Sequence, residues 1–145
     1  MPLKNYTTKI KAARTVGEIQ ELLASAGAKS VLLNYEEGVP VAVSFLIGTA
    51  FGDRGFNLSA NAPGVFAVMT RDANKRQMDK AYATYDQAVR VAWRTIQDWI
   101  EAQLAIIQAG VVTLDQVMLP WMVDQDNRTV YDAMVERQLM LPAGK

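Results

Sequence analysis

Residues 85–110, YDQAVRVAWRTIQDWIEAQLAIIQAG, constrain the architecture more than any other part of the chain. Val89, Trp93, Ile96, Ile100, Leu104 and Ile107 recur at three- and four-residue intervals, which gathers apolar side chains along one side of an α-helix. Thr84 and Gln87 have the capping-box spacing at its start. Gly110 supplies the stop, because glycine readily takes the left-handed conformation that follows a helix C-terminus. A long helix with one apolar side needs an apolar surface to cover it.

That surface is predicted upstream. In SVLLNYEEGVPVAVSFLIGTAF, residues 30–35 and 39–47 read as a hairpin around Glu36-Glu37-Gly38, with Val41, Val43, Phe45 and Ile47 on one face. A turn at Gly52-Asp53-Arg54-Gly55 leads into GFNLSAN, a third strand with Phe56 and Leu58 in alternate positions. Three strands cannot bury an apolar face by themselves. The expected fold is therefore α+β: a helix, a three-stranded antiparallel β-meander, a long helix packed across the sheet, and a C-terminal helical extension.

The first helix is expected from Thr15, which has Glu18 at capping-box spacing, and Val16, Ile19, Leu22, Leu23 and Ala26 share its inner face up to a stop at Gly27. NYTTKIKA, ahead of it, reads as an extra strand. Asn61-Ala62-Pro63-Gly64 starts a short helix ending near residue 70, and the polar stretch RDANKRQMDKAYA reads as a mobile connection or a loose helix. Past the long helix, a short helix begins at Thr113, Pro120 breaks it, and a terminal helix covers about 129–139. With 145 residues, half of them hydrophobic, and no repeat or compositional break, residues 1–145 read as one domain.

Fifteen basic and fifteen acidic residues cancel, yet they are not evenly spread. Residues 1–14 hold Lys4, Lys9, Lys11 and Arg14 with no acid, and residues 71–94 hold six basic groups against three acidic ones. If these two segments meet in space they form a basic stripe, the local patch that a neutral chain needs to attract a polyanion. There is no cysteine and no histidine, which excludes disulfides, thiolate chemistry, zinc sites built from Cys or His, and the usual catalytic triads. GTAFGDRG lacks the Lys-Ser/Thr ending of a phosphate loop, and the acid pairs Glu36-Glu37 and Asp124-Asp126 have no further ligands at a recognised spacing. A non-enzymatic protein without cofactor or metal is expected. MPLKNYTTKIKAART contains no apolar run of signal-peptide length and no segment approaches eighteen apolar residues, so the expected location is the cytoplasm, away from membranes.

Each candidate binding group has two readings. Arg90 and Arg94 lie one turn apart beside Gln87 and Gln97, either as contacts to successive phosphates or as a solvated face on which Arg94 pairs with Asp98. Trp99 lies partly off the apolar stripe, either exposed to stack a base or packed against the segment 118–122. MLPWMV is either a second layer of core or an interface. RDANKRQMDKAYATY interleaves Arg71, Lys75, Arg76 and Lys80 with Tyr82 and Tyr85, which suits a single nucleic-acid strand or a highly soluble loop, and Lys9 and Lys11 with Tyr6 share that ambivalence.

WRTIQDWIEAQLAIIQAG followed by VMLP, with the opening PLKNYTTKI and RTVGEIQELLASAGA, resembles a family of small uncharacterised proteins of bacterial viruses and prophages over most of the chain. That resemblance implies a phage context in a bacterial host cytoplasm. The order hairpin, third strand, long helix is also similar to the core of single-strand annealing proteins, and this likeness of topology implies ring-forming oligomers with DNA in a basic groove. The expected function is a homo-oligomer that binds single-stranded DNA or RNA as a recombination or replication accessory, through Lys9, Lys11, Arg71, Lys75, Arg76, Tyr82, Arg90, Arg94 and Trp99. The alternative is an oligomeric interaction or counter-defence protein that occupies a host factor or sequesters a small anionic nucleotide.

Overall fold

The computed structural model describes residues 1–137 and has the expected α+β organisation, with a sheet of four strands instead of three. Helix α1 (Ala12–Ser25) leads to strands β1 (Ser30–Glu36), β2 (Val39–Thr49) and β3 (Gly52–Ser59), then helices α2 (Ala62–Asn74) and α3 (Tyr85–Gln108). A short helix α4 (Leu114–Met118) precedes strand β4 (Met122–Val123), and α5 (Val130–Glu136) follows. The strands run antiparallel in the order β1-β2-β3-β4. The fourth was missed because it is two residues long: it sets Met122 opposite Phe56 and Val123 opposite Gly55, too few positions to show an alternation.

One face of the sheet is the core. Val43, Phe45 and Ile47 on β2 and Phe56 and Leu58 on β3 are buried with Val16, Ile19 and Leu23 of α1 and Val89, Ala92, Trp93 and Ile100 of α3. Phe45 and Phe56 are opposite in register and stack with ring centroids 5.4 Å apart. The Trp93 indole N–H donates to the Pro40 carbonyl at 2.9 Å, so the one polar atom of a fully buried ring is satisfied. The opposite face carries Leu32, Asn34, Ser44 and Asn57, linked across three strands where Asn34 donates to Ser44 (3.3 Å) and Ser44 to Asn57 (3.1 Å).

Local chemistry explains the element ends. The β1–β2 turn is the pair Glu37 (φ 50°) and Gly38 (φ 79°), the two positive φ angles of the tight turn that matches strand twist. At the end of α1, Gly27 (φ 103°) bonds back to the Ala24 carbonyl and Ala28 to the Leu23 carbonyl, closing the helix with the paired reverse bonds typical of a glycine stop. Asn61 caps α2 by accepting from the Gly64 N–H.

Four expectations are corrected. Residues 4–7 form a turn, not a strand. α1 starts at Ala12, and Thr15 is a buried helical residue whose hydroxyl donates to the Lys11 carbonyl, so Thr15 and Glu18 form no capping box. Gly52-Asp53-Arg54-Gly55 belongs to β3, and the turn before it is formed by Ala50 and Phe51. α2 continues through Asn74, past residue 70. The stretch 71–83 is helical in part, with 71–74 ending α2 and Lys80–Tyr82 forming a 3-10 turn, and between them Met78 is buried and the Gln77 N–H donates to the Asp72 carbonyl. α5 spans Val130–Glu136, and the expected end of the terminal helix at 138–139 lies outside the described residues.

Candidate nucleic-acid interface

The two basic segments do meet. Residues 3–8 lie as a strap across α2 and α3: the Leu3 N–H donates to Asp72 (3.2 Å), Asn5 donates to Asp98 (2.9 Å), and Lys4 pairs with Asp98 (3.2 Å). Asn5 turns the strap with a left-handed φ of 68°, a conformation that asparagine tolerates better than most residues. Tyr6 packs edge-on against Tyr82 at 5.5 Å. The strongest tie is Gln87, buried on α3, whose side-chain amide donates to the Tyr6 carbonyl at 2.9 Å and the Thr8 carbonyl at 2.8 Å. Its remaining atom, Oε1, accepts from Arg90 Nε at 2.8 Å.

Gln87 therefore fixes the strap and a cation together. Arg90 is half-buried, and its cleft of about 200 Å³ is also lined by Lys11, Ala12, Gly38, Pro40 and Asp86. Lys11 is the residue before the first turn of α1 and is exposed, as is Lys9 at the end of the strap. Among the described residues, Lys9, Lys11, Lys75, Arg76 and Arg90 form no ion pair. Lys75 and Arg76 are exposed just past α2, and Tyr82 is half-buried. Arg71 is exposed but its guanidinium reaches the buried carboxylate of Asp72 at 3.2 Å.

Arg94 and Trp99 are spent on other contacts. The α3 face carrying Gln87 and Gln97 is not a solvated face: both glutamines are buried, against the strap and against α1. Arg94 sits among Gln97 (3.1 Å), Glu18 of α1 (3.4 Å) and Asp98 (3.9 Å), so its charge serves helix packing. The Gln97 amide donates to Glu18 at 2.6 Å, and this bond, with Arg14 next in size, lowers the Glu18 carboxyl below its ordinary range. For Asp98, burial pushes upward, but the bonds from Asn5 and Lys4 and the charges of Lys4 and Arg94 outweigh it and the net shift is downward. Trp99 meets Trp121 edge-on at 5.1 Å, within the partly buried shell of the main core, which is the packing of Trp99 on the MLPWMV segment and not an exposed stacking face.

Sequence reasoning did not find Gln87 as the organiser, although its spacing from Thr84 was the available signal. Thr84 does accept from the Gln87 backbone N–H at 3.2 Å, while the Gln87 side chain, which would complete a capping box, turns to the strap. The complete capping box is at Thr113 and Gln116. Asp124, one of the paired acids, accepts from the N–H groups of Asp126 (2.9 Å) and Arg128 (3.0 Å) and so holds its own loop. Among the described residues no helix is long and apolar enough to cross a membrane. No protein-family model, no curated protein and no solved structure matches the chain.

Proposed function

We propose that the protein is a non-enzymatic binding module that holds single-stranded DNA or RNA along the surface where the N-terminal strap meets α3. The observation that carries this reading is the triple engagement of Gln87, which binds the strap through two carbonyls and aims Arg90 beside Lys11. Lys9, Lys11 and Arg90 would neutralise phosphates at one end of the strap. At its other end, where Leu3 meets Asp72, Lys75 and Arg76 would do the same, with Arg71 sharing its charge with Asp72. Tyr82 is the aromatic group of the set that can stack a base. Arg94 and Trp99 drop out of the contact set and become structural. In this reading the protein acts as an oligomeric annealing or replication accessory of a phage-type system in the bacterial cytoplasm.

The size of the cleft favours a polymer over a captured nucleotide. About 200 Å³ is below the roughly 300–1,000 Å³ of sites that engulf a whole small ligand, yet it accommodates one phosphate of a longer chain. Fluorescence anisotropy of a labelled single strand, with a duplex and a mononucleotide as competitors, tests the reading. It expects tight binding displaced by single strand and weakly by the other two. Binding of the mononucleotide with no affinity for the single strand would favour capture of a small anion, and absence of single-strand binding at low salt would overturn the reading.

A further inference from the structure

β1 ends the sheet and pairs only with β2. Among the described residues, no backbone group of residues 30–36 makes a hydrogen bond beyond that pairing. Edge strands are ordinarily blunted by lysine, proline or inward-facing charge, because their free N–H and C=O groups template another strand. β1 reads Ser-Val-Leu-Leu-Asn-Tyr-Glu: it has no lysine and no proline, and its single charge is at the end. Leu32, in the middle, is 62% exposed and Tyr35 is 57% exposed. The irregularity at Asn34/Tyr35 lies towards the end of the strand and leaves residues 30–34 regular.

We infer that β1 pairs antiparallel with β1 of a second copy, about a two-fold axis at Leu32, joining two four-stranded sheets into one of eight strands. In that register Leu32 faces its own counterpart, Val31 faces Leu33, and Ser30 faces Asn34, so apolar meets apolar on both faces and polar meets polar on the face of Leu32. Charge sets the direction. Lys29 precedes the strand, while Glu36 and Glu37 close it and follow it. Antiparallel pairing sets Lys29 of each copy opposite Tyr35 of the other, so the basic end of each strand lies at the acidic end of its partner, where Glu36 and Glu37 follow, whereas parallel pairing sets like charges together. Lys29 already touches Asp53 at 2.7 Å yet remains 56% exposed, with donors left for a second carboxylate. The pairing supplies the oligomer of the proposed function, but its residues are distinct from the basic surface, so loss of pairing and loss of single-strand binding are read separately.

Sedimentation velocity over a dilution series tests the pairing. The wild type is expected at twice the 16.0 kDa chain mass, and Leu32→Lys, which sets two ammonium groups face to face, is expected at the single-chain mass with an unchanged circular dichroism spectrum. Because the chain has no cysteine, Leu32→Cys carries one thiol. Mild oxidation is expected to link it into covalent dimers, while Leu119→Cys, a comparably exposed position elsewhere, stays unlinked. A wild type that is monomeric throughout, or a dimer that Leu32→Lys leaves intact and Leu32→Cys does not cross-link, would overturn the inference.

Discussion

Gln87 donates its buried side-chain amide to the Thr8 carbonyl at 2.8 Å, joining positions 79 residues apart in sequence. The same side chain holds Tyr6 and accepts from Arg90. A single residue thus links the order of the N-terminus to the placement of a cation.

Gln87→Ala is expected to lower stability by about 1–3 kcal/mol, because two strap carbonyls lose their donor in a partly buried site. Urea unfolding measures this, with Gln20→Ala, an exposed position on α1, as the neutral comparison. Trypsin cleavage at Lys9 and Lys11 is also expected to accelerate as the strap releases. Equal midpoints for the two variants would show that Gln87 does not anchor the strap.

Arg94→Ala separates structure from binding. Loss of the contacts to Glu18, Gln97 and Asp98 is expected to cost roughly 1 kcal/mol, since these are charged hydrogen bonds at a quarter-exposed site. Oligonucleotide affinity is expected to stay at the wild-type value. A large loss of affinity with unchanged stability would return Arg94 to the contact surface.

The carboxylates around Arg94 set an acid limb. Glu18 and Asp98 titrate lower in the folded chain than their ordinary values of 4.5 and 3.8. The folded state therefore binds fewer protons than the unfolded chain near those values, and the stability they contribute is present above them and lost as pH falls through the lowered folded values. Urea midpoints followed from neutrality to about pH 3 are expected to fall, and the double variant Glu18→Gln, Asp98→Asn is expected to fall less steeply. Parallel limbs would assign the acid sensitivity to other groups.

Trp93→Phe removes the donor to the Pro40 carbonyl and part of a fully buried ring. The expected loss is about 1–3 kcal/mol from the orphaned carbonyl, with a further cost from the cavity. An unchanged urea midpoint would mean that Pro40 finds another donor.

The parts of this fold legible in the sequence are those with a period. The stripe from Val89 to Ile107, the positions Val43, Phe45 and Ile47 on β2 and the stop at Gly27 each repeat or punctuate a regular pattern and take their expected places, while Val41, expected on the same face, falls outside the core where the β1–β2 register shifts. What stayed hidden is held by single side chains. The strap has no regular backbone pairing, so nothing in NYTTKIKA distinguishes a turn bound by Gln87 from a strand. Residues 71–83 look soluble because their anchors, Asp72 and Met78, are two buried positions among many charged ones. The solvated appearance of Gln87 and Gln97 misleads for the same reason: a helix with a second buried side can line it with amides when each finds a partner.

Lys11 and Arg90 line one cleft, with Arg90 held there by Gln87, and the proposed function has both contact phosphates. The salt dependence of single-strand affinity, measured for the wild type and for Lys11→Ala, Arg90→Ala, separates that role from a bystander one. Each lost phosphate contact is expected to reduce the slope of log affinity against log salt by about 0.7, so the double variant should bind more weakly and with a slope shallower by roughly 1.4. An identical slope and affinity in the two proteins would show that neither cation contacts the strand.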